Sequence, residues 1–419
     1  MFHFEFGFYS SLLLIFFVHG AVYSILLYRK ALKQGSNADK WLSVFLILCI
    51  FYITPWMVGF AGWYNNQPYR DILFYVPFQQ LFFLGPVIFF YTQSLLNPSF
   101  HFGKKESLHL IPGMLYLTFC IIMFVTDKVV LGEYFFLENG QDPDFDSWYQ
   151  YAGFLSMLFY FFLSLRYYMM YRKIIVQAVS YADVVLFRWV RNFLIAFLSM
   201  LVLRVIFLIA TLIPAFEALA YAGPWWEYFS FAIIFYYIAI TGYSNAAETK
   251  VAFRINLFEY KKAILLLTAP VATSEQKDHI EDGQLIDIDI QETKTLQSSN
   301  ESNVFIIEWK SRILNLLQTE KIYEDPELSL TQMAKLLQTN ASILSKIINQ
   351  GFGYNFNDFI NHYRIEAVKE KLQAGEQKTQ TLLGIGYDCG FNSKATFNRA
   401  FKKATGLSPK EWMEKSGIN

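Results

Sequence analysis

The sequence predicts an all-α protein: a seven-helix transmembrane bundle, a disordered acidic linker and a C-terminal double helix-turn-helix domain. Three observations predict it. Long apolar blocks fill residues 1–243, a stretch rich in acids and poor in aromatics covers 269–304, and apolar residues return at intervals of three and four from 305 onward. Residues 244–268 form a junction of mixed character.

A chain of 419 residues is too long for one ordinary domain. Its 54% apolar and 17% charged composition, with 43 Phe, 27 Tyr and 9 Trp, excludes a disordered, collagen-like or disulfide-scaffold protein. The net charge of zero conceals a strongly acidic middle, since residues 269–304 carry 2 basic and 8 acidic side chains while residues 305–419 carry 15 and 12. Cys49, Cys120 and Cys389 write no disulfide framework, which suits a soluble part held in a reducing compartment.

Seven apolar blocks approach the roughly 20 residues that an α-helix needs to cross a bilayer. They cover about 8–28, 41–62, 72–96, 108–126, 148–170, 190–213 and 225–243. No Lys or Arg precedes Arg29, so the first block lacks the basic start of a secretory signal and is expected to remain in the mature chain. Lys and Arg near span ends are retained in the cytoplasm. Arg29, Lys30, Lys33 and Lys40 fill the first loop, Lys104 and Lys105 the third, and Arg172, Lys173 and Arg188 the fifth. This arrangement predicts a multi-pass protein of the inner (cytoplasmic) membrane, N-terminus outside and C-terminal domain in the cytoplasm, with the lipid bilayer as a partner.

Pro55, Pro77, Pro86 and Pro112 lie within or at the ends of spans, where a missing amide donor kinks a helix. Arg204 stands near the middle of the sixth block, where a charge costs at least ~2.5 kcal/mol. No acid lies at matching depth in these spans, so its expected partners are carbonyls, His19, Gln79, Gln80 or an anionic ligand, which makes Arg204 the ligand-sensing candidate. Asp142, Asp144 and Asp146 have the opening spacing of an EF-hand, but Ser147 and Gly153 replace the required Gly and Glu, so a solvated outer loop is expected.

Beyond the seventh block, residues 244–268 mix apolar positions with Lys250, Arg254, Lys261 and Lys262, as a juxtamembrane amphipathic segment would. The acidic linker is expected to be a flexible tether, able to compete with phosphate for basic helices.

Two stretches of the last domain carry its function. In about 328–349, Ser329 and Gln332 write a capping box, Met333, Ala334, Leu336 and Leu337 an apolar face, and Asn340 a cap for a second helix. That helix is expected to turn Ile343, Leu344, Ile347 and Ile348 inward, leaving Ser342, Ser345, Lys346 and Asn349 outward. In about 381–403 the plan repeats: Leu382, Ile385 and Cys389 face inward, Gly390 ends the helix, and Asn392 or Ser393 caps the next. Phe397, Ala400 and Phe401 are expected inside, with Lys394, Thr396, Asn398, Arg399, Lys402 and Lys403 outside. Ser408, Pro409 and Glu411 open a last short helix.

The run Gly390-Phe391-Asn392-Ser393, then Phe397, Arg399, Phe401-Lys402-Lys403 and Thr405-Gly406-Leu407-Ser408-Pro409, with Arg364 upstream, resembles the DNA-binding domain of the AraC/XylS transcription regulators. The likeness spans about the last 100 residues. The membrane half resembles a bacterial subgroup in which a seven-helix sensor precedes this domain, on span count and chain order alone. The resemblance implies two helix-turn-helix units joined by one long helix, about 357–374, whose second helices enter successive major grooves. It implies Ser342, Ser345, Lys346, Asn349, Lys394, Asn398, Arg399 and Lys402 as DNA-binding residues, with Arg364 mainly a structural anchor. Three departures stand out: Gln338 replaces a Gly in the first turn, Ile348-Asn349 a Phe-Lys pair, and Gly384 and Gly386 weaken a helix interior.

The implied function is a membrane-embedded one-component regulator, activator or repressor, that binds promoter DNA in response to an unknown small-molecule or envelope signal. Its expected partners include a second copy of the chain as a homodimer and RNA polymerase. Release of the soluble domain by proteolysis is an open alternative to binding in place. A competing reading makes the protein a transporter or membrane receptor whose C-terminal domain recruits proteins rather than DNA. The histidines form no ligand spacing with cysteine, and no nucleophile elbow or Walker sequence is present, so no enzyme, catalytic residue, metal or cofactor is expected.

Overall fold

The computed structural model describes residues 5–97, 100–138, 140–180, 188–210, 222–244, 254–255, 262–266, 285–289 and 300–418. These residues divide into two units. The first comprises 1–168 and 188–248, the second 169–187 and 249–419.

The first unit is helical because its blocks are apolar throughout and backbone groups away from water must pair within a helix. α1 (Phe8–Gln34) and α2 (Asn37–Gly59) form a hairpin with Ser36 as cap, accepting from the Asp39 amide at 3.2 Å. The expected third span is broken: α3 (Tyr69–Tyr75) and α4 (Leu81–Leu96) are separated by Val76–Gln80, where Pro77 has no amide to donate. α5 (Lys104–Ser107) leads into α6 (Ile111–Phe124), which continues as a π-helical turn, Val125–Leu131. α7 (Ser147–Ala178) runs well past the expected end at 170, and its last residues belong to the second unit. α8 (Arg188–Ala210) and α9 (Ala222–Ser244) complete the unit.

Among the described residues, five helices are long and apolar enough to cross a membrane: Phe8–Gln34, Asn37–Gly59, Lys104–Leu131, Ser147–Ala178 and Trp189–Ala210. Many of their large apolar side chains face outward, among them Ile15, Ile25, Leu115, Ile121, Leu155 and Ile206. α2 and α4 fill the interior instead. Gly20, Gly85, Gly113 and Gly153 allow the close approaches, a Cβ at Gly153 meeting Leu81 at 2.5 Å.

The second unit departs from expectation between the two halves of the chain. Short strands β1 (Arg254–Ile255), β2 (Lys262–Leu266) and β3 (Leu285–Asp289) form an antiparallel sheet in the order β1-β2-β3. Residues read as a juxtamembrane amphipathic segment and an acidic coil therefore hold paired backbone, with Ile286 and Ile288 alternating with acids in β3 as in a strand. Of the expected linker over 269–304, residues 269–284 and 290–299 lie outside the described residues and 300–304 are helical. α10 (Asn300–Thr319) opens the C-terminal helices.

The remaining helices are α11 (Leu330–Leu336), α12 (Ala341–Phe352), α13 (Phe356–Gln373), α14 (Leu382–Asp388), α15 (Lys394–Thr405) and α16 (Pro409–Lys415). α13, expected over 357–374, joins two small cores. Leu330, Met333, Leu344, Ile347, Ile348, Phe356 and Phe359 are buried at its first half. Val368, Leu372, Ile385, Cys389, Phe391, Phe397 and Phe401 cluster at its second.

Candidate nucleic-acid interface

Each helix pair is set by local chemistry. Ser329 and Gln332 make the capping box of α11, the Asn340 side chain accepts from the Ile343 amide at 2.8 Å to cap α12, and Ser393 accepts from the Thr396 amide at 3.1 Å to cap α15. Thr381 caps α14, and Ser408 with Glu411 boxes α16. The Ser408 amide donates to the Glu411 carboxylate, holding it below its usual range.

The two turns solve one problem differently. Gln338 adopts φ 55°, a left-handed conformation that costs a Cβ-bearing residue roughly 1–2 kcal/mol. Gly390 adopts φ 92°, and a Cβ there would lie 2.2 Å from the Tyr323 carbonyl oxygen and 2.9 Å from Arg364 Nε. Only glycine fits that turn. Gly386 serves a second approach, since a Cβ would meet the Phe397 ring at 3.2 Å.

Arg364 is the pin of the domain. It is 1% exposed, and burial lowers its guanidinium to about 10, so it stays charged at neutral pH. Its Nε donates to the Tyr323 carbonyl at 2.7 Å, Nη2 to the Asp325 carbonyl at 2.6 Å and to Ser180 Oγ at 3.0 Å, and Nη1 to Asn361 Oδ1 at 3.3 Å. This is the anchor the resemblance implies, made to backbone and neutral groups.

Ser180 was not foreseen. Its amide and hydroxyl both donate to the Leu328 carbonyl, at 3.1 and 2.8 Å, and its own carbonyl accepts from Asn357 Nδ2 at 2.6 Å. Val179 bridges Ser329 in antiparallel fashion. The residues just beyond α7 thus add a short strand-like edge to the first helix-turn-helix core, and no local pattern in the sequence announces a pairing across some 150 residues.

The predicted outward residues fall on two stripes. On α12, Lys346 and Asn349 are exposed and Ser345 is half-buried, accepting from Asn349 Nδ2 at 3.5 Å. Ser342 shares their face by spacing, its side chain lying outside the described residues. On α15, Lys394, Asn398 and Lys402 are exposed at four-residue intervals with Arg399 alongside. Two expectations are corrected: Thr396 is buried, its hydroxyl accepting from Ser393 at the cap, and Ile343 is 40% exposed among the polar residues of α12. Lys403 is exposed as expected and bonds Asp358 on α13 at 2.6 and 2.7 Å. The second stripe therefore carries three cations and the first one, a difference in attraction for phosphate.

In the first unit, Arg204 donates to Tyr52 Oη at 2.7 Å, to Gln150 Oε1, and to Glu227 at 3.4 Å. The expectation that no acid lies at its depth is corrected: Glu227, two residues into the predicted seventh span, is its ion-pair partner. The space beside it is about 20 Å³, room for one water. Gln79 donates to Tyr228 Oη at 3.0 Å and Gln150 to Gln79 Oε1 at 2.7 Å, whereas His19 lies against Ile15 and Tyr236. Asp142 and Asp144, expected in a solvated loop, are 8% and 2% exposed. Among the described residues no group of three His, Cys, Asp or Glu could hold a metal ion.

Comparison with known proteins agrees with this geometry. Residues 333–415 match the family model of a helix-turn-helix domain. The chain is 34% identical over 86 residues to an uncharacterized HTH-type transcriptional regulator of Staphylococcus aureus (strain COL), covering 20% of this chain and 11% of the relative. It is 29% identical over 109 residues to the uncharacterized transcriptional regulatory protein YesN of Bacillus subtilis (strain 168), covering 26% and 28%. The chain thus spans about a tenth to a quarter of the length of these relatives. A solved structure of a protein of unknown function from Listeria innocua aligns at 26% identity with a TM-score of 0.22, over 28% of this chain and 98% of that one.

Proposed function

We propose that the protein is a membrane-embedded one-component transcription regulator, whose α12 and α15 enter successive major grooves of promoter DNA under control of a signal received by the helical first unit. The carrying observation is the pair of capped, exposed polar stripes on α12 and α15, joined through one connecting helix that Arg364 anchors to the Tyr323 carbonyl. Lys346, Lys394, Arg399 and Lys402 would bind phosphate or guanine, and Ser342, Ser345, Asn349 and Asn398 base edges. Five apolar helices support insertion in the inner membrane, and the loop charges favour a cytoplasmic C-terminus. A homodimer, with RNA polymerase engaged at the promoter, completes the reading.

β3 supports a restraint on this activity. It runs beside α12, and the acidic segment that contains it would compete with phosphate for the first reading helix. Chromatin immunoprecipitation of the tagged full chain, followed by salt titration on the enriched fragments, tests the proposal. Discrete promoters and a steep fall of affinity with rising salt are expected; no enrichment over an untagged strain refutes it.

A further inference from the structure

The first unit contains a cleft of about 500 Å³, within the range of small-molecule sites and far larger than the space beside Arg204. Its walls come from separate parts of the chain: Trp56 at the end of α2, Tyr64 and Arg70 before and at the start of α3, Phe74 within it, and Asp142 and Phe145 from the segment before α7. Trp56 and Phe145 meet edge to face with centroids 5.9 Å apart, and the Tyr64 and Phe74 rings meet at 5.9 Å.

The charges in this cleft are organised. Arg70 lies over the Phe74 ring at 5.0 Å and reaches Gly140, where a Cβ would come within 3.2 Å of Nη2. Among the described residues Arg70 makes no ion pair, although Asp142 lines the same cleft. Asp142 is held by the Tyr64 hydroxyl at 2.8 Å and the Asp144 amide at 3.0 Å, which leaves lone pairs on both oxygens. Burial and the neighbouring Asp144 push its carboxyl well above the usual range, so a cation beside it would relieve a charge that the protein itself leaves uncompensated. An ammonium is favoured twice there, by the carboxylate and by aromatic faces. A guanidinium at the opposite side favours a carboxylate. A polyanion would meet the acids, and a simple amine would meet Arg70.

The cleft is also wired to the core. Asp144 accepts from the Gln79 amide at 2.8 Å and from Tyr116 at 2.8 Å; Gln150 bonds the Asp144 carbonyl and Gln79, and accepts from Arg204. We propose that this cleft binds a small zwitterion of the amino-acid or short-peptide class, its ammonium against Asp142 and its carboxylate against Arg70. The site deepens the sensing reading above and rests on it for its consequence: a ligand on Asp142 acts on Arg204 through Asp144, Gln79 and Gln150.

The test uses the full chain in lipid nanodiscs. Its thermal midpoint is measured against each of the twenty L-amino acids and a set of dialanine-type dipeptides, then against the decarboxylated and deaminated analogues of the strongest compound. Saturable stabilisation by a zwitterion is expected, with each analogue weaker by about tenfold or more. The isosteric Asp142→Asn and the charge-removing Arg70→Gln, both checked for an unchanged unliganded fold, are expected to weaken it similarly. Failure of every compound to stabilise the protein, or equal stabilisation of both variants, overturns the site. A promoter reporter separates the two readings. A reporter that follows an external amino acid equally well in Arg70→Gln overturns the site and leaves sensing standing, whereas binding that needs both residues with a silent reporter supports the site and overturns sensing.

Discussion

Asn357 donates through Nδ2 to the Ser180 carbonyl at 2.6 Å, and Arg364, two turns along the same helix, donates to the Ser180 hydroxyl at 3.0 Å. One serine following α7 is thereby gripped by two of the three polar residues that α13 buries, Asn361 being the third. Asn357→Ala is expected to leave a buried carbonyl unsatisfied and to lower the stability of the second unit by about 1–3 kcal/mol. Thermal unfolding of the full chain checks this; an unchanged transition would show that the grip contributes nothing.

The two turns should respond oppositely to a change in side chain. Gly390→Ala introduces the 2.2 Å clash with Tyr323 at positive φ and is expected to cost more than about 3 kcal/mol. Gln338→Gly removes left-handed strain at some cost in chain entropy and is expected to stabilise by up to about 1 kcal/mol. Denaturant midpoints of the two variants provide the comparison.

Lys402→Ala is expected to weaken DNA binding almost uniformly across sequences and to reduce the salt slope by about 1. Asn349→Ala should leave the slope alone and relax preference at one base pair by about 1–3 kcal/mol. Equilibrium binding to the target site and to a scrambled duplex, over a range of salt, separates the two effects.

Arg204→Leu leaves Glu227 buried without its cation and is expected to lower the stability of the first unit by about 3 kcal/mol. Adding Glu227→Gln should recover most of the loss. Thermal melting of both variants in detergent decides, since additive losses would mean that the pair is not coupled.

Asp142 and Asp144 both have carboxyls raised by burial, and for Asp142 also by its neighbour. In the absence of ligand the folded state therefore holds protons that the unfolded chain releases at about 4. Their contribution is complete below that value and is lost as pH rises toward neutrality. The thermal midpoint of the unliganded protein should fall over this interval, and the fall should be smaller in Asp142→Asn.

Much of this was legible in residue order. Caps such as Ser329, Asn340, Ser393 and Ser408 act within three residues, so their helices could be placed from local chemistry. The left-handed end at Gly390 and the anchoring role of Arg364 were equally readable. Glu227 escaped notice because hydropathy assigns depth by block and says nothing of which faces meet. The burial of Asp142 and Asp144 depends on Tyr64, Gln79 and Tyr116, brought from three other segments. Lys403 looked like part of the reading stripe because Asp358 is 45 residues away.

That last pair bears on how binding data will behave. Lys403 braces the second reading helix against α13 through an exposed contact that ions readily screen. Rising ionic strength therefore acts at two places, displacing the helices from phosphate and slackening the strut that sets their mutual angle. A plot of affinity against salt should steepen at its upper end rather than stay straight, and should straighten when Lys403 and Asp358 are replaced together by an uncharged pair.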